Sequence, residues 1–202
     1  MGELDFGSTE ASASVTVYSP ALTTGMVMVT IVVFFIVIAG SVHLALRGSP
    51  PRSRWTIHDL PSSQRLLLVL SVSTTMVVQA IGATTAFVQT HVVHESTLEY
   101  FQYLSHVRLL GTSHAHIFGF LVLYGIIGIA ISLSSGNERL KCFVIATMLW
   151  AGIFDVLSWW GIKELSPRFE WLSIITGAST VLCSWIAIVL VVRDLVTRSQ
   201  TA

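Results

Sequence analysis

Histidines dominate the residues of this chain that could bind a metal or a cofactor, and most of them gather in one stretch. Five of the seven histidines fall between residues 91 and 116. Neutral imidazole is a common ligand of copper and of haem iron. We therefore predict a site for haem b or copper in this stretch, with the candidate ligands His91, His94, His106, His114 and His116.

Asp155 is an acidic residue inside an apolar segment. A carboxylate at mid-membrane costs at least ~2.5–3.5 kcal/mol, so it normally has a partner and marks a functional site. With a rise of 1.5 Å per helical residue, His114 and His116 lie roughly 6–9 Å below the outer boundary, and Asp155 lies about 10 Å below it. The shared depth predicts that one of the two histidines approaches Asp155. A salt bridge from Asp155 to Arg108 is an equally open alternative.

The spacing of His114 and His116 decides how they can act. Two residues on an α-helix are about 200° apart, so the two imidazoles point to opposite sides and cannot hold one metal from a regular helix. Between them run Gly111, Ala115 and Gly119, a small-xxx-small pattern that predicts close approach of another helix. The competing interpretation of both histidines is that they are interhelical hydrogen-bond partners.

One short segment resembles a known family. Residues 112–119, Thr-Ser-His-Ala-His-Ile-Phe-Gly, are similar to the His-x-His helix of haem–copper oxidase subunit I. In that family the two histidines leave opposite faces of one helix near the outer surface and ligate two different haems. The likeness covers about ten of the 202 residues, and the family's other ligands have no counterpart here. It implies that such an arrangement can serve haem, and it does not imply an oxidase.

The elements that must position these residues are membrane helices. The chain has 202 residues, of which 53% are hydrophobic and 11% charged, too few charges to cover a soluble surface. We predict an all-α membrane protein with a polar N-terminal tail over 1–22, one transmembrane domain over 23–195 and a C-terminal tail over 196–202. Each predicted helix is close to the ~20 residues that a membrane span requires. The five helices are predicted at 23–46, 66–88, 110–133, 142–162 and 171–193.

Lysine and arginine predict the orientation. With the N-terminus outside and the C-terminus in the cytoplasm, eight of the 11 basic residues fall on the cytoplasmic side and three on the outer side. Bacterial inner-membrane proteins follow this positive-inside pattern over short loops. The sequence therefore predicts a multi-pass protein of the inner (cytoplasmic) membrane, with the histidine-rich stretch at its outer face.

Three functions are compatible with these features. The leading hypothesis is a membrane subunit that binds haem b or copper near the outer face and takes part in respiratory electron transfer or metal handling, with His114, His116 and Asp155 at the cofactor. The second is a cofactor-free accessory subunit, and the third a proton-coupled carrier that uses Asp155. The expected partners are the lipid bilayer and other membrane subunits or a second copy. The balanced charge gives no indication of nucleic acid, and no nucleophile–base pair or phosphate loop indicates a complete enzyme.

Overall fold

The computed structural model describes residues 19–47 and 56–197. Within these ranges the chain forms α-helices joined by short turns, and no strand occurs. Short 3₁₀ turns at Ile57–Asp59 and Pro167–Phe169 precede α2 and α6, and α2 continues directly into a π-helical segment, Val88–Val93. The helices are α1 Pro20–Leu46, α2 Ser62–Phe87, α3 Thr97–Tyr103, α4 His106–Leu133, α5 Glu138–Glu164 and α6 Glu170–Thr197.

Five of the described helices, all except the seven-residue α3, are long and apolar enough to cross a membrane. The prediction of an all-α membrane protein with five spans is therefore confirmed. The orientation of the termini stays a prediction. The connection between the second and third spans is more structured than predicted, because it contains the π-helical segment and α3.

Several helices begin about one turn before the predicted bounds, and capping explains the difference. The Ser19 hydroxyl accepts from the backbone N–H of Leu22, which starts α1, and Ser105 accepts in the same way at the start of α4. Asn137 caps α5. Such caps satisfy N–H groups that the first turn leaves free, so polar residues begin helices that an apolar count detects only later. The predicted tails differ accordingly, since α1 begins at Pro20 and α6 runs to Thr197, while residues 1–18 and 198–202 lie outside the described ranges.

Helix α5 forms the centre of the bundle. It packs against α6, α4, α1 and α3, and eleven of its residues are buried, against three on α2. Two glycines allow this packing. A Cβ on Gly152 would lie 2.7 Å from the Phe120 ring, and a Cβ on Gly161 would lie 2.4 Å from the Phe169 ring. Close approach in this chain therefore uses the small residues of α5, and not the predicted small residues of α4.

Polar contacts close one end of the bundle. Lys141 Nζ donates to the carbonyl oxygens of Ser132 and Ser134 at 3.0 Å each, at the end of α4. Asp194 on α6 accepts from the backbone N–H of Ser135 at 3.2 Å. These bonds satisfy carbonyls and N–H groups that the helix ends leave free. The opposite end, where α2, α4 and α6 diverge, holds a cavity.

Candidate functional site

A cavity of about 630 Å³ lies at the end of the bundle that carries the histidine-rich stretch. Its walls come from α2 with its π-helical extension, α3, α4, α5 and α6. Most of the lining is apolar or aromatic, including Phe87, Phe101 and Trp159, and a few polar groups converge on it. This size and lining are typical of small-molecule and cofactor sites.

His116 on α4 lines the cavity, and its hydrogen bonding fixes which ring nitrogen is free. Its Nδ1 lies 2.9 Å from the carbonyl oxygen of Thr112, one helical turn earlier. A carbonyl only accepts, so Nδ1 donates, and the neutral ring carries its lone pair on Nε2. The ring also packs edge-on against Trp159, with ring centroids 4.9 Å apart, and against Phe120.

His91 lines the same cavity from the opposite element, the π-helical segment. Its Nδ1 lies 2.7 Å from the hydroxyl oxygen of Thr90, and that hydroxyl donates to the Ala86 carbonyl at 2.8 Å. Because the hydroxyl has a single hydrogen, its oxygen accepts from His91 Nδ1–H. The neutral His91 ring therefore also carries its lone pair on Nε2. The ring stacks on Phe87 at a centroid distance of 5.1 Å.

The two histidines share the arrangement that metal-binding imidazoles usually have. A ligating histidine commonly donates its other ring N–H to a carbonyl or similar acceptor, which fixes the tautomer and raises the basicity of the ligand nitrogen. Both His91 and His116 meet this condition, because the Nδ1–H of each ring donates to an oxygen. Both rings line the cavity from different elements, and each has Nε2 as the nitrogen that is not used in a hydrogen bond.

Asp155 lies next to this cavity, and its partners differ from those that the sequence suggested. Its Oδ1 accepts from the hydroxyl of Ser173 at 2.6 Å, and the Thr176 hydroxyl lies 3.4 Å away, both on α6. Its carboxyl group also interacts with the side chain of Trp159 and electrostatically with His116. Among the described residues, no histidine and no arginine forms a hydrogen bond or salt bridge with Asp155.

The predicted partner Arg108 is exposed at the start of α4. Its backbone N–H donates to Ser105 Oγ at 3.3 Å, and among the described residues its side chain forms no hydrogen bond or salt bridge. The reason is geometric: Asp155 faces α6, which packs against α5 more extensively than any other helix does. Ser173 and Thr176, three residues apart on one face of α6, supply the hydrogen bonds that a buried carboxyl group requires.

The remaining candidate histidines lie outside the cavity. His114 is exposed on the other side of α4, beside the open surface of Gly111, Ala115 and Gly119, where an added Cβ on either glycine meets nothing within 4 Å. His106 forms a half-exposed pair with Glu164 at 2.8 Å. His94 packs against the rings of Tyr100 and Tyr103. In the described chain, no group of three or more His, Cys, Asp or Glu side chains is placed to hold a metal ion.

Sequence reasoning missed the residues that orient the imidazoles. These residues are Thr90, immediately before His91, and Thr112, one helical turn before His116. Once a histidine is a candidate ligand, residues at these two positions can be examined in the sequence as possible hydrogen-bond acceptors for its Nδ1–H. Glu170 was also missed. Its Oε1 accepts from Thr97 at 2.7 Å at the cavity wall, and this contact joins residues 73 positions apart that no local pattern connects.

A family comparison covers the second half of the chain. Residues 95–202, more than half of the 202 residues, match a family model described as a transmembrane helical domain (Aq_1264_TM). The chain belongs to this family. The family domain contains α3 to α6, and so His116 and Asp155, whereas His91 precedes it. Searches of curated proteins and of solved structures find no match to the chain.

Proposed function

We propose that this chain is a membrane subunit that binds haem b in the cavity and takes part in electron transfer, with His91 and His116 as its axial ligands. The observation that carries the proposal is the orientation of the two rings. Each donates from Nδ1 to an oxygen of its own helix and keeps the Nε2 lone pair available, on one cavity, from two elements. Histidine is a frequent axial ligand of haem iron.

The cavity walls suit a large apolar ring. Aromatic side chains from three elements line the space of about 630 Å³, and the ring of Trp159 lies against His116. Phe87 and Ile174, which line the cavity, are more than half exposed on the surface that faces lipid. An apolar cofactor can therefore enter from the bilayer. A bound haem b supplies one-electron redox chemistry, and the chain supplies the ligands and a low-polarity surrounding that tunes it.

Copper is less well supported than haem. A copper site needs several N, O or S donors converging on one point. The described residues contain no such group of three or more His, Cys, Asp or Glu side chains, and His94, His106 and His114 lie outside the cavity. Two imidazoles from separate elements on a wide apolar cavity would suit haem b, which His91 and His116 would hold, better than a copper ion.

The test is the absorbance spectrum of the purified full-length protein after incubation with haem. We expect a Soret band whose shape changes on reduction. His91→Ala should weaken haem binding and leave a high-spin spectrum, because one axial ligand is lost. His94→Ala is the matched control, three residues away but packed on tyrosines, and should keep the wild-type spectrum. The absence of any bound haem, or equal effects of the two variants, would overturn the proposal.

A cofactor-free accessory role is a second candidate, and one observation favours it. Gly111, Ala115 and Gly119 form an exposed strip on α4 that no helix of the described chain covers. Small residues of this kind allow close packing of membrane helices, so a partner subunit or a second copy fits there. Cross-linking from an Ala115→Cys variant in membranes should capture that neighbour. An unlinked protein under conditions that cross-link a known membrane pair would contradict the assignment.

We place the protein in the inner (cytoplasmic) membrane, with the cavity at the outer face. The support is the distribution of basic residues, eight on one side and three on the other. A periplasm-active reporter fused after Gln89 should be active, and one fused after Gly136 should be inactive. The reverse result would move the cavity to the cytoplasmic face.

A further inference from the structure

A second, smaller groove lies between α1 and α6 at the same end of the bundle, and no residue lines both this groove and the cavity. It has a volume of about 340 Å³, and Val27, Met28 and Ile31 of α1 and Ile175 of α6 form its apolar walls. Both helices pack against α5 far more than against each other, which leaves the groove between them. Its rim faces lipid, since Met28 is 59% exposed.

The positively charged side chain of Arg168 lies at the mouth of this groove. Arg168, in the turn before α6, is exposed, and its Nη1 donates to the Pro20 carbonyl and the Thr24 hydroxyl at the start of α1. These two bonds hold the guanidinium over the groove. Nη2 and Nε have no partner among the described residues, and no described acid pairs with the charge. The adjacent acid, Glu170, is instead bonded to Thr97.

The residues at the mouth match the chemistry of a lipid headgroup region. Trp171 lines the groove beside Arg168 and is 63% exposed. Tryptophan prefers the membrane–water interface, where its ring is partly apolar and its N–H can reach polar groups. Thr24 and Ile31 are seven residues apart, so the apolar walls reach about 10 Å below the cation. The Arg168 guanidinium at the level of the headgroups matches a lipid phosphate, and the apolar groove below it matches an acyl chain.

We propose that this groove binds one anionic phospholipid, with its phosphate on Arg168 and one acyl chain between α1 and α6. The guanidinium offers phosphate a two-pronged hydrogen bond from its free nitrogens. Because α1 and α6 are both membrane spans, the apolar part of the groove is accessible to the acyl chains of lipids. The site is independent of the haem cavity, because none of its lining residues borders that cavity.

The test is lipid retention by the full-length protein in detergent, measured by native mass spectrometry with phosphatidylglycerol and phosphatidylcholine of equal chain length. One basic residue near an anionic headgroup predicts a preference of about fivefold for phosphatidylglycerol. Arg168→Gln should abolish that preference. Arg108→Gln is the matched control, since Arg108 is exposed at the same end but lies at neither groove nor cavity. Equal loss in both variants would reduce the effect to surface charge and overturn the proposal.

A second pair of variants tests the apolar part of the site. Met28→Trp should fill the groove and lower retention of both lipids, whereas Val29→Trp, on the neighbouring lipid-facing position outside the groove, should not. Both side chains are more than half exposed, so both variants should fold. Glycerol phosphate, which has the headgroup chemistry without the chains, should compete poorly. Equal competition by glycerol phosphate, or unchanged retention in Met28→Trp, would contradict the chain-binding groove.

Discussion

The two sides of α4 carry one histidine each, and they have opposite surroundings. His116 lies on the cavity, bonded to Thr112 and packed against Trp159. Both imidazoles are exposed in the described chain, but it gives His114 no hydrogen bond, ion pair or ring contact. His114 and His116 are two residues apart, which is a rotation of about 200° around the helix. The chain therefore orients the His116 ring, whereas the His114 ring is left to contact lipid or another protein.

The comparison teaches that the type of a residue does not decide its role in a membrane helix. The same imidazole is a candidate ligand where a neighbouring helix and a backbone carbonyl fix its tautomer. On the lipid side it is an uncompensated polar group, which in a bilayer favours contact with another protein. Four pairs of substitutions can test this contrast.

The largest expected difference is between His116→Ala and His114→Ala. Removal of His116 should strongly weaken haem retention, because it deletes one of the two proposed ligands together with the contact to Trp159. Removal of His114 should leave the Soret band of the isolated protein unchanged. The absorbance spectrum at equal protein concentration checks both. A loss of haem in His114→Ala alone would reverse the assignment of the two sides.

The second difference concerns packing at two glycines, Gly152 of α5 and Gly119 of α4. Gly152→Leu should lower the free energy of unfolding by about 1–3 kcal/mol or more, because the new side chain meets the Phe120 ring on the cavity side of α4. Gly119→Leu faces open space in this chain, so the isolated protein should change by no more than about 0.5 kcal/mol. Thermal unfolding in detergent measures both. A strongly destabilised Gly119→Leu monomer would contradict the open surface of α4 at Gly119.

A smaller effect is expected from the hydroxyl that orients the second ring. Thr90→Val keeps the shape of the side chain but removes the acceptor for His91 Nδ1, and loss of such an orienting bond typically weakens metal affinity about 10–100-fold. Thr84→Val, on an exposed position of the same helix, is the control. Haem titration followed by absorbance measures the affinities. Equal affinities of the two variants would show that Thr90 does not orient the ligand.

The smallest effect is expected behind the cavity. Ser173→Ala removes the 2.6 Å bond from α6 to Asp155, and hydrogen bonds between membrane helices contribute about 0.6 kcal/mol on average, with a maximum of about 1.7. Ser179→Ala removes only a bond to its own helix, at Ile175, and should change less. Unfolding of the two variants in the same detergent compares them. A larger loss in Ser179→Ala would mean that the Asp155 contact does not tie α5 to α6.

The spans were predictable from the sequence because lipid imposes a simple composition on about 20 residues in a row. The opposite directions of His114 and His116 were predictable as well, because they follow from the rotation per residue alone. The partners of Asp155 were not, since the depth of His114 and His116 and the long side chain of Arg108 left all three as candidate partners. Only the packing of α5 on α6 selects Ser173 and Thr176.

The close contacts between helices could not be predicted from local sequence patterns either. Gly111, Ala115 and Gly119 form the more regular series in the sequence, yet the close approaches within this chain occur at Gly152 and Gly161. A spacing of small residues shows where a neighbour can approach, and the shape of the neighbour decides whether it does. Phe120 and Phe169 provide that shape, and both come from other elements.

The π-helical segment Val88–Val93 makes the position of His91 depend on chain length as well as on residue type. A π turn holds one residue more than the α-helical turn it replaces, and each residue of a regular helix turns the next by about 100°. Deleting a single residue from this segment, without touching the histidine, would therefore carry the His91 ring around the helix axis and away from the wall it now shares with Thr90 and Phe87. Relatives that keep the cavity should therefore keep the length of this segment, even where its amino acids differ. A deletion here should displace the imidazole from the cavity as surely as a substitution of the histidine removes it.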